Sequence, residues 1–399
     1  MAVASRLAPV ITVEHVDRAE VVDLTAALVR IDTRNPPGHE RDAADACRQA
    51  LEPFGATFTE VEPAPGRTSL LATVGHPGDG RPTLIVNGHL DVVPINPSQW
   101  TRDPFGAEVD DASGRMYGRG TADMKGGIAA AICALHTLRR AGIEPACTVV
   151  FHLVADEERG GALGTAAMVE QGLIAGDACL VPEPTGMNLC VAERGLMVAT
   201  ITTRGRPAHG SQPQNGLSAI EKAAKVALAL HAADMGDAPH ALLGTPTCNV
   251  GVIEGGSGHN TVAESCRVTV DRRLLPGATQ ASAEAAIRAK IDGIGDPEIA
   301  YDVDVTMFGE ASELDRRHPL VKELASVVAR TTGTTPDVIG MSFTTDARFV
   351  RNQMGIPAIV FGPGEVEQAH TNDEWVSIER LVQATAVFAE MYATFDPGG

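Results

Sequence analysis

The stretch that decides the fold is DMKGGIAAAICALHTLRRAGIEPACTVVFHLVADEERGG, Asp123 to Gly161. Its first half, DMKGGIAAAICALHTLRRAG, reads as a helix, and CTVVFHLVA reads as a short, apolar strand rich in branched residues. Asp156, Glu157 and Glu158 follow that strand directly. Three adjacent carboxylates at the end of a core strand are awkward, because like charges repel and raise one another's pKa. A helix, a buried strand and a polar cluster in that order point to an α/β fold with something to bind at the strand end.

Outward from this segment the same rhythm holds. VDRAEVVDLTAALVRI and HERDAADACRQALEPFG are further helix candidates, and TLIVNGHL, ACLVPEP and, near the C-terminus, IPAIVFGPG are further strands. The last helix is VSIERLVQATAVFAEMYATF. Strands alternating with helices imply βαβ units and a mainly parallel central sheet with helices on both faces. From Leu196 to about Phe308 the order becomes β-α-β-β-α-β, the ferredoxin-like split unit. The chain is therefore expected to divide into a discontinuous catalytic domain, residues 1–194 and 310–399, and an inserted domain, residues 195–309. Several inserted strands alternate apolar and polar residues, as an antiparallel sheet with one exposed face requires.

Composition narrows the class. The 32 basic and 51 acidic residues leave a formal charge of −19, which argues against nucleic acid or an anionic membrane as partner. The seven cysteines are scattered and never form a C-x-x-C pair, the usage of reduced thiols and not of a disulfide framework. No flanking context marks any of them as a nucleophile. Glu14, Asp17 and Glu20 fall where a secretory leader would be apolar. No run reaches the roughly 18 apolar residues of a membrane span. The expectation is a soluble cytoplasmic protein.

Four polar clusters follow strand candidates: His89 with Asp91 after TLIVN, Asp156–Glu158 after CTVVFHLVA, Glu183 after ACLVP, and His370 beyond AIVFGPG. A fifth residue, Asp123, opens a helix, where a negative charge is favoured. In open α/β sheets ligands bind beyond the carboxyl ends of the strands, where these clusters would converge. Each has an ordinary reading: a structural histidine, a turn aspartate, a helix N-terminal acid, a solvated loop acid. Their joint occurrence outweighs those readings. Two imidazoles with several carboxylates are a zinc-type donor set, and the carboxylates exceed what one ion needs. A dinuclear site explains the excess, with one carboxylate shared.

GHLDVVP, GRGTADMKGG, the DEE run, PEPT and AHTNDEWV resemble the motifs of the M20 metallopeptidases, in the family's order and from LVRIDTRNPPG to the last helix. That group includes acetylornithine deacetylase, succinyl-diaminopimelate desuccinylase, aminoacylase and carboxypeptidases. The resemblance implies a zinc-exopeptidase-like catalytic domain carrying a lid or dimerisation domain. It implies that His89, Asp123, Glu158, Glu183 and His370 are metal ligands, with Asp123 bridging, and that Glu157 is the general base. It leaves open which ion Glu183 serves. Asp91 becomes the carboxylate that orients the ligand imidazole. Asp156 receives no definite role.

In the insert, RPAHGSQPQNG is similar to the motif whose histidine, here His209, reaches the partner's active site in dimeric members and helps hold the carbonyl oxygen. Asn260, Arg273, Thr344 and Arg348 match positions that contact substrate, the last two within TTDARF. Pro182 before Glu183 and Phe343 depart from the family pattern, where glycine is usual. The implied activity is cleavage of the amide of an N-acyl amino acid, deacetylase- or desuccinylase-like, by a hydroxide held between two divalent ions. Zinc is the first choice of metal and cobalt the second. A homodimer through the inserted domain is implied. A carboxypeptidase or dipeptidase acting on short peptides is the alternative activity. A non-catalytic metal-binding protein on the same fold is the alternative of another class.

Overall fold

Strand Thr148–Val154 is buried at every residue in this computed structural model, which describes residues 10–397. A strand covered on both faces needs apolar side chains at successive positions, as this one has. It pairs in parallel with Thr83–His89, which pairs in parallel with Ala178–Val181, and that strand in turn with Ala358–Val360. Antiparallel strands Ser69–Val74 and Thr57–Val61 extend the sheet on one side, and Leu189–Glu193 continues it on the other. The antiparallel strands on both sides are additions that the sequence reading had not placed. The chain adds Thr148–Val154 on one side of Thr83–His89 and then crosses to add Ala178–Val181 on the other. Such a reversal is the switch point at which α/β sheets bind ligands. His89 ends its strand, and Asp156 and Glu183 follow theirs closely, so all three share one sheet edge.

The helices that matter most are Lys125–Ala141 and Ile378–Thr394, which pack on one another. The Tyr392 hydroxyl donates to the Ala131 carbonyl across that contact at 3.1 Å. The first turn of Lys125–Ala141 lies hard against backbone. A Cβ on Gly126 would fall 2.3 Å from the Thr121 carbonyl oxygen, and one on Gly127 would fall 2.0 Å from that of Pro182. The paired glycines therefore bring the loops of Asp123 and Glu183 together.

Two compact units emerge: the chain up to Val191 with Leu314–Ile339 and the chain from Thr345 onward, and a second made of Ala192–Glu313 and Gly340–Thr344. Residues 340–344 fall in this second unit, where the sequence predicts them in the larger domain. Here Met341 accepts a backbone hydrogen bond from Arg194 at 3.1 Å, and Gly340 lies against Leu242 and Leu243. The second unit has a four-stranded antiparallel sheet in the order Thr247–Gly255, Ser265–Leu274, Gly195–Arg204, Ala300–Gly309. Helices Ala219–Leu230 and Gln280–Asp292 complete it. Its core gathers Met197, Ile201, Val226, Leu230, Val268 and Ile287. Strand Gly195–Arg204 alternates buried and half-buried residues, as a sheet covered on one face does.

All seven cysteines are buried and free. Among the described residues no helix is long and apolar enough to cross a membrane. The first nine residues of the stretch tested as a leader lie outside the described residues.

Candidate metal centre

The first unit gathers His89, Asp123, Glu157, Glu158, Glu183 and His370. His89 is buried, its Nε2 3.0 Å from Asp123 Oδ1 and 3.4 Å from Glu183 Oε1. His370 is half-exposed, its Nε2 3.3 Å from Asp123 Oδ2 and 3.0 Å from Glu158 Oε2. Asp123 therefore turns one oxygen to each imidazole, and each imidazole has its own glutamate. Glu183 lies on the His89 side, a point the sequence had left open. Donor atoms of His89, Asp123 and Glu158, and of His89, Glu157 and Glu183, fall within 4.8 Å of one another.

The electrostatics follow from crowding. Burial, with Asp123 nearby, pushes Glu183 up to about 8. Burial also raises Glu158 and lifts Glu157 well above the usual carboxylate range. Burial disfavours the charged form of His89, but Glu183 and Asp123 outweigh it and hold the imidazole well above its ordinary value. Hydrogen bonds to Asp123 and Glu158 lift His370 to about 11. Burial alone would raise Asp123, yet His370 and His89 hold it well below its ordinary value. Glu158 Oε1 is buried without a hydrogen-bond partner among the described residues. A donor set in which buried carboxylates must share protons or borrow charge from imidazoles is one that cations fit.

Asp91 differs in detail from its expected part. His89 Nδ1 lies 2.8 Å from the Asp91 backbone oxygen and 3.7 Å from its carboxylate. The main-chain oxygen is thus the nearer partner of the imidazole. The carboxylate instead accepts the backbone N–H groups of Glu157 and Glu158 at 3.2 and 3.3 Å, and the Asn35 amide at 2.8 Å. It holds the glutamate turn in place. Asp156, which had no role, has a left-handed φ of 71°. Its carboxylate meets Arg67, Asn35 and the Leu163 N–H.

Arg348 was expected at a substrate carboxylate. It is buried, and its guanidinium donates to the backbone oxygens of Gly160 at 2.8 Å and Thr345 at 3.1 Å. Its contacts tie it to the far end of the glutamate turn. In the second unit, His209 pairs through its backbone with Thr261, Gly210 donates to the Asn260 carbonyl at 2.7 Å, and His209 Nδ1 lies 2.7 Å from Ser211 Oγ. Arg273 is paired with Asp271 at 3.0 Å, and Thr344 donates to the Glu310 carbonyl at 3.3 Å.

Sequence reasoning missed Asn35, Arg67 and Glu374. Glu374 is fully buried, ion-paired to Arg119 at 2.5 Å, and accepts the N–H groups of Gly120, Ala122 and Asp123 at 2.8–3.1 Å. It ties the loop of Asp123 to the segment of His370. An acid so close to His370 in AHTNDEWV was the available signal. Arg67 offers none, since it sits in a turn-rich loop that looks ordinary.

Two imidazoles set among buried carboxylates at the switch point of an α/β sheet define a metal-dependent hydrolase. The model of peptidase family M20/M25/M40 matches residues 85–394, and the chain belongs to that family. It is 32% identical over 339 residues to an acetylornithine deacetylase of Myxococcus xanthus, covering 83% of this chain and 85% of the relative. It is 30% identical over 391 residues to a succinyl-diaminopimelate desuccinylase of Methylobacterium radiotolerans, covering 94% and 96%. Its fold is similar to the crystal structure of aminopeptidase PepT from Bacillus cereus, with TM-score 0.78, 22% identity, and 95% and 99% of the two chains covered.

Proposed function

We propose that this chain hydrolyses the amide bond of an N-acyl amino acid, with acetyl or succinyl as the acyl group, at a centre of two divalent ions. Asp123 carries the reading: its oxygens approach two different imidazoles, at 3.0 and 3.3 Å. His89 and Glu183 would hold one ion, His370 and Glu158 the other, and Asp123 both. Zinc suits this mixed imidazole and carboxylate set, with cobalt second. The ions would supply Lewis-acid polarisation of the carbonyl and a lowered pKa for the attacking water. The relatives' names supply the acyl classes.

Glu157 is the carboxylate left over, and its oxygen lies within 4.8 Å of the donor atoms of His89 and Glu183, which suits a group that takes a proton from water at the centre and gives it back. It removes a proton from the attacking water and returns it to the leaving amine nitrogen. The parts assigned by motif to His209, Asn260, Arg273 and Thr344, in holding the carbonyl oxygen and the substrate, belong to the same proposal. Arg348, matched by motif to a place near the substrate carboxylate, belongs to it as well, with its guanidinium held by the backbone oxygens of Gly160 and Thr345.

Glu157→Gln is expected to lower kcat by about 10²–10⁴-fold with bound metal unchanged. Near-normal turnover at full metal content would remove Glu157 as base. N-acetyl and N-succinyl amino acids tested beside dipeptides check the substrate class, and cleavage of dipeptides alone would transfer the reading to a peptidase.

The same proposal includes a homodimer through the second unit. Leu228 is 83% exposed there, with Ile220 on the same helix. Val252 and Ile253 are exposed on Thr247–Gly255, one of the two edge strands of that unit's sheet. A cytoplasmic location is supported by seven free, buried thiols.

A further inference from the structure

We propose that Arg67 is a positioning residue for the turn bearing Glu157 and Glu158, acting through Asp156, and that the loop Asn35–Glu40 is built to hold it. The inference rests on the reading of Glu157 as base and Glu158 as ligand.

Asp156 opens the single 3-10 turn Glu157–Arg159 with a φ of 71°. A non-glycine residue keeps that conformation only where its surroundings over-determine it. Here they do. One carboxylate oxygen lies 3.0 Å from Arg67 Nη1 and accepts the Asn35 amide at 3.1 Å, while the other accepts the Leu163 N–H at 3.1 Å. Arg67 spends the rest of its fork on Glu40, donating from Nε at 3.1 Å and from Nη2 at 2.9 Å. The side chains of Arg67, Glu40 and Asp156 are 9%, 0% and 8% exposed.

The same Asn35 amide also donates to Asp91 at 2.8 Å, and Asp91 accepts the N–H groups of Glu157 and Glu158. The first carboxylate of the turn and its next two N–H groups are thus tied to one network. That network buries Glu40, Asp91 and Asp156 around a single guanidinium. Carboxylates buried together need a paired cation to stay charged. Only a planar fork serves two of them in fixed directions, which a lysine cannot do. The loop leaves room for it. Gly38 has a φ of 77°, and a Cβ there would lie 2.5 Å from Arg67 Cζ. Asn35, Gly38 and Glu40 therefore contribute a bridge, a space and a counter-charge to one arginine.

The test is Arg67→Met in the full-length, zinc-loaded enzyme, followed by steady-state kinetics and by calorimetric zinc titration of the metal-free protein. At saturating zinc, kcat is expected to fall about tenfold or more with KM within about twofold, and one of the two zinc affinities to weaken about 10–100-fold. Arg67→Lys should recover little. Asp156→Asn should reproduce the phenotype, and the double variant should be no worse than either single, since both act through one contact.

Unchanged kcat and unchanged zinc affinities in folded Arg67→Met, whatever its melting temperature, would overturn the proposal. So would additive losses in the double variant. If Arg67→Met does not fold, Asp156→Asn decides on the same two readouts. If the wild-type protein binds zinc but cleaves none of the N-acyl substrates, the substrate reading fails and the zinc titration still decides this one.

Discussion

His152 and Asp156 occupy one strand and the turn beyond it, and they show how differently burial treats polar residues. His152 is fully buried, and neither ring nitrogen has a hydrogen-bond partner among the described residues. Burial alone pushes its pKa down to about 4. In the unfolded chain it titrates at the ordinary value near 6.5. Between those limits the unfolded state binds more protons than the folded one, so stability falls as pH drops from about 6.5 to about 4. The loss is on the order of 3 kcal/mol. His152→Leu is expected to flatten that part of the stability curve, measured as urea midpoints between those pH values. An unchanged acid limb would show that other groups control it. Asp156, by contrast, is buried beside the Arg67 guanidinium and accepts from two N–H donors.

At the scale of elements, the paired glycines of MKGG matter most. They let helix Lys125–Ala141 start against the carbonyls of Thr121 and Pro182, and so fix the spacing between the Asp123 and Glu183 loops. Gly127→Ala places a methyl where the Pro182 carbonyl oxygen stands, and the nearest atoms all belong to Pro182, none of them a flexible side-chain tip. Overpacking of this kind typically costs about 1–3 kcal/mol, and this site is expected at or above the top of that range. Thermal unfolding with bound zinc measured beside it tests the geometry: the variant should lose metal affinity along with stability. A stable variant with normal zinc binding would mean that the two loops are positioned independently of the helix.

For the whole molecule the question is assembly. The exposed leucine and the branched residues on edge strand Thr247–Gly255 of the second unit carry the expectation of a dimer, because edge strands with apolar side chains are otherwise a liability. Sedimentation equilibrium is expected to give a dimer for the wild type and a monomer for Leu228→Glu with Ile253→Glu. A wild-type monomer would also remove any trans role for His209. The formal charge of −19 sets a further condition, since like-charged copies repel less as salt rises. Salt should therefore favour the dimer.

The sequence by itself determined the strands and helices that carry the centre, because a strand covered on both faces is apolar at most positions and a helix must repeat its apolar residues. It also exposed the acids and histidines at the strand ends, since polar residues there have no structural reason to cluster. What only the tertiary structure decided is which groups meet. Glu183 falls beside His89, Asp91 serves the glutamate turn with its side chain and the imidazole with its carbonyl, and Arg67 reaches Asp156, far along the chain. Apart from the Asp91 carbonyl, which stands two residues from His89, these are contacts between segments distant in the chain. Their pairing leaves no local pattern, because the charge that each one compensates becomes a cost only once both are buried together.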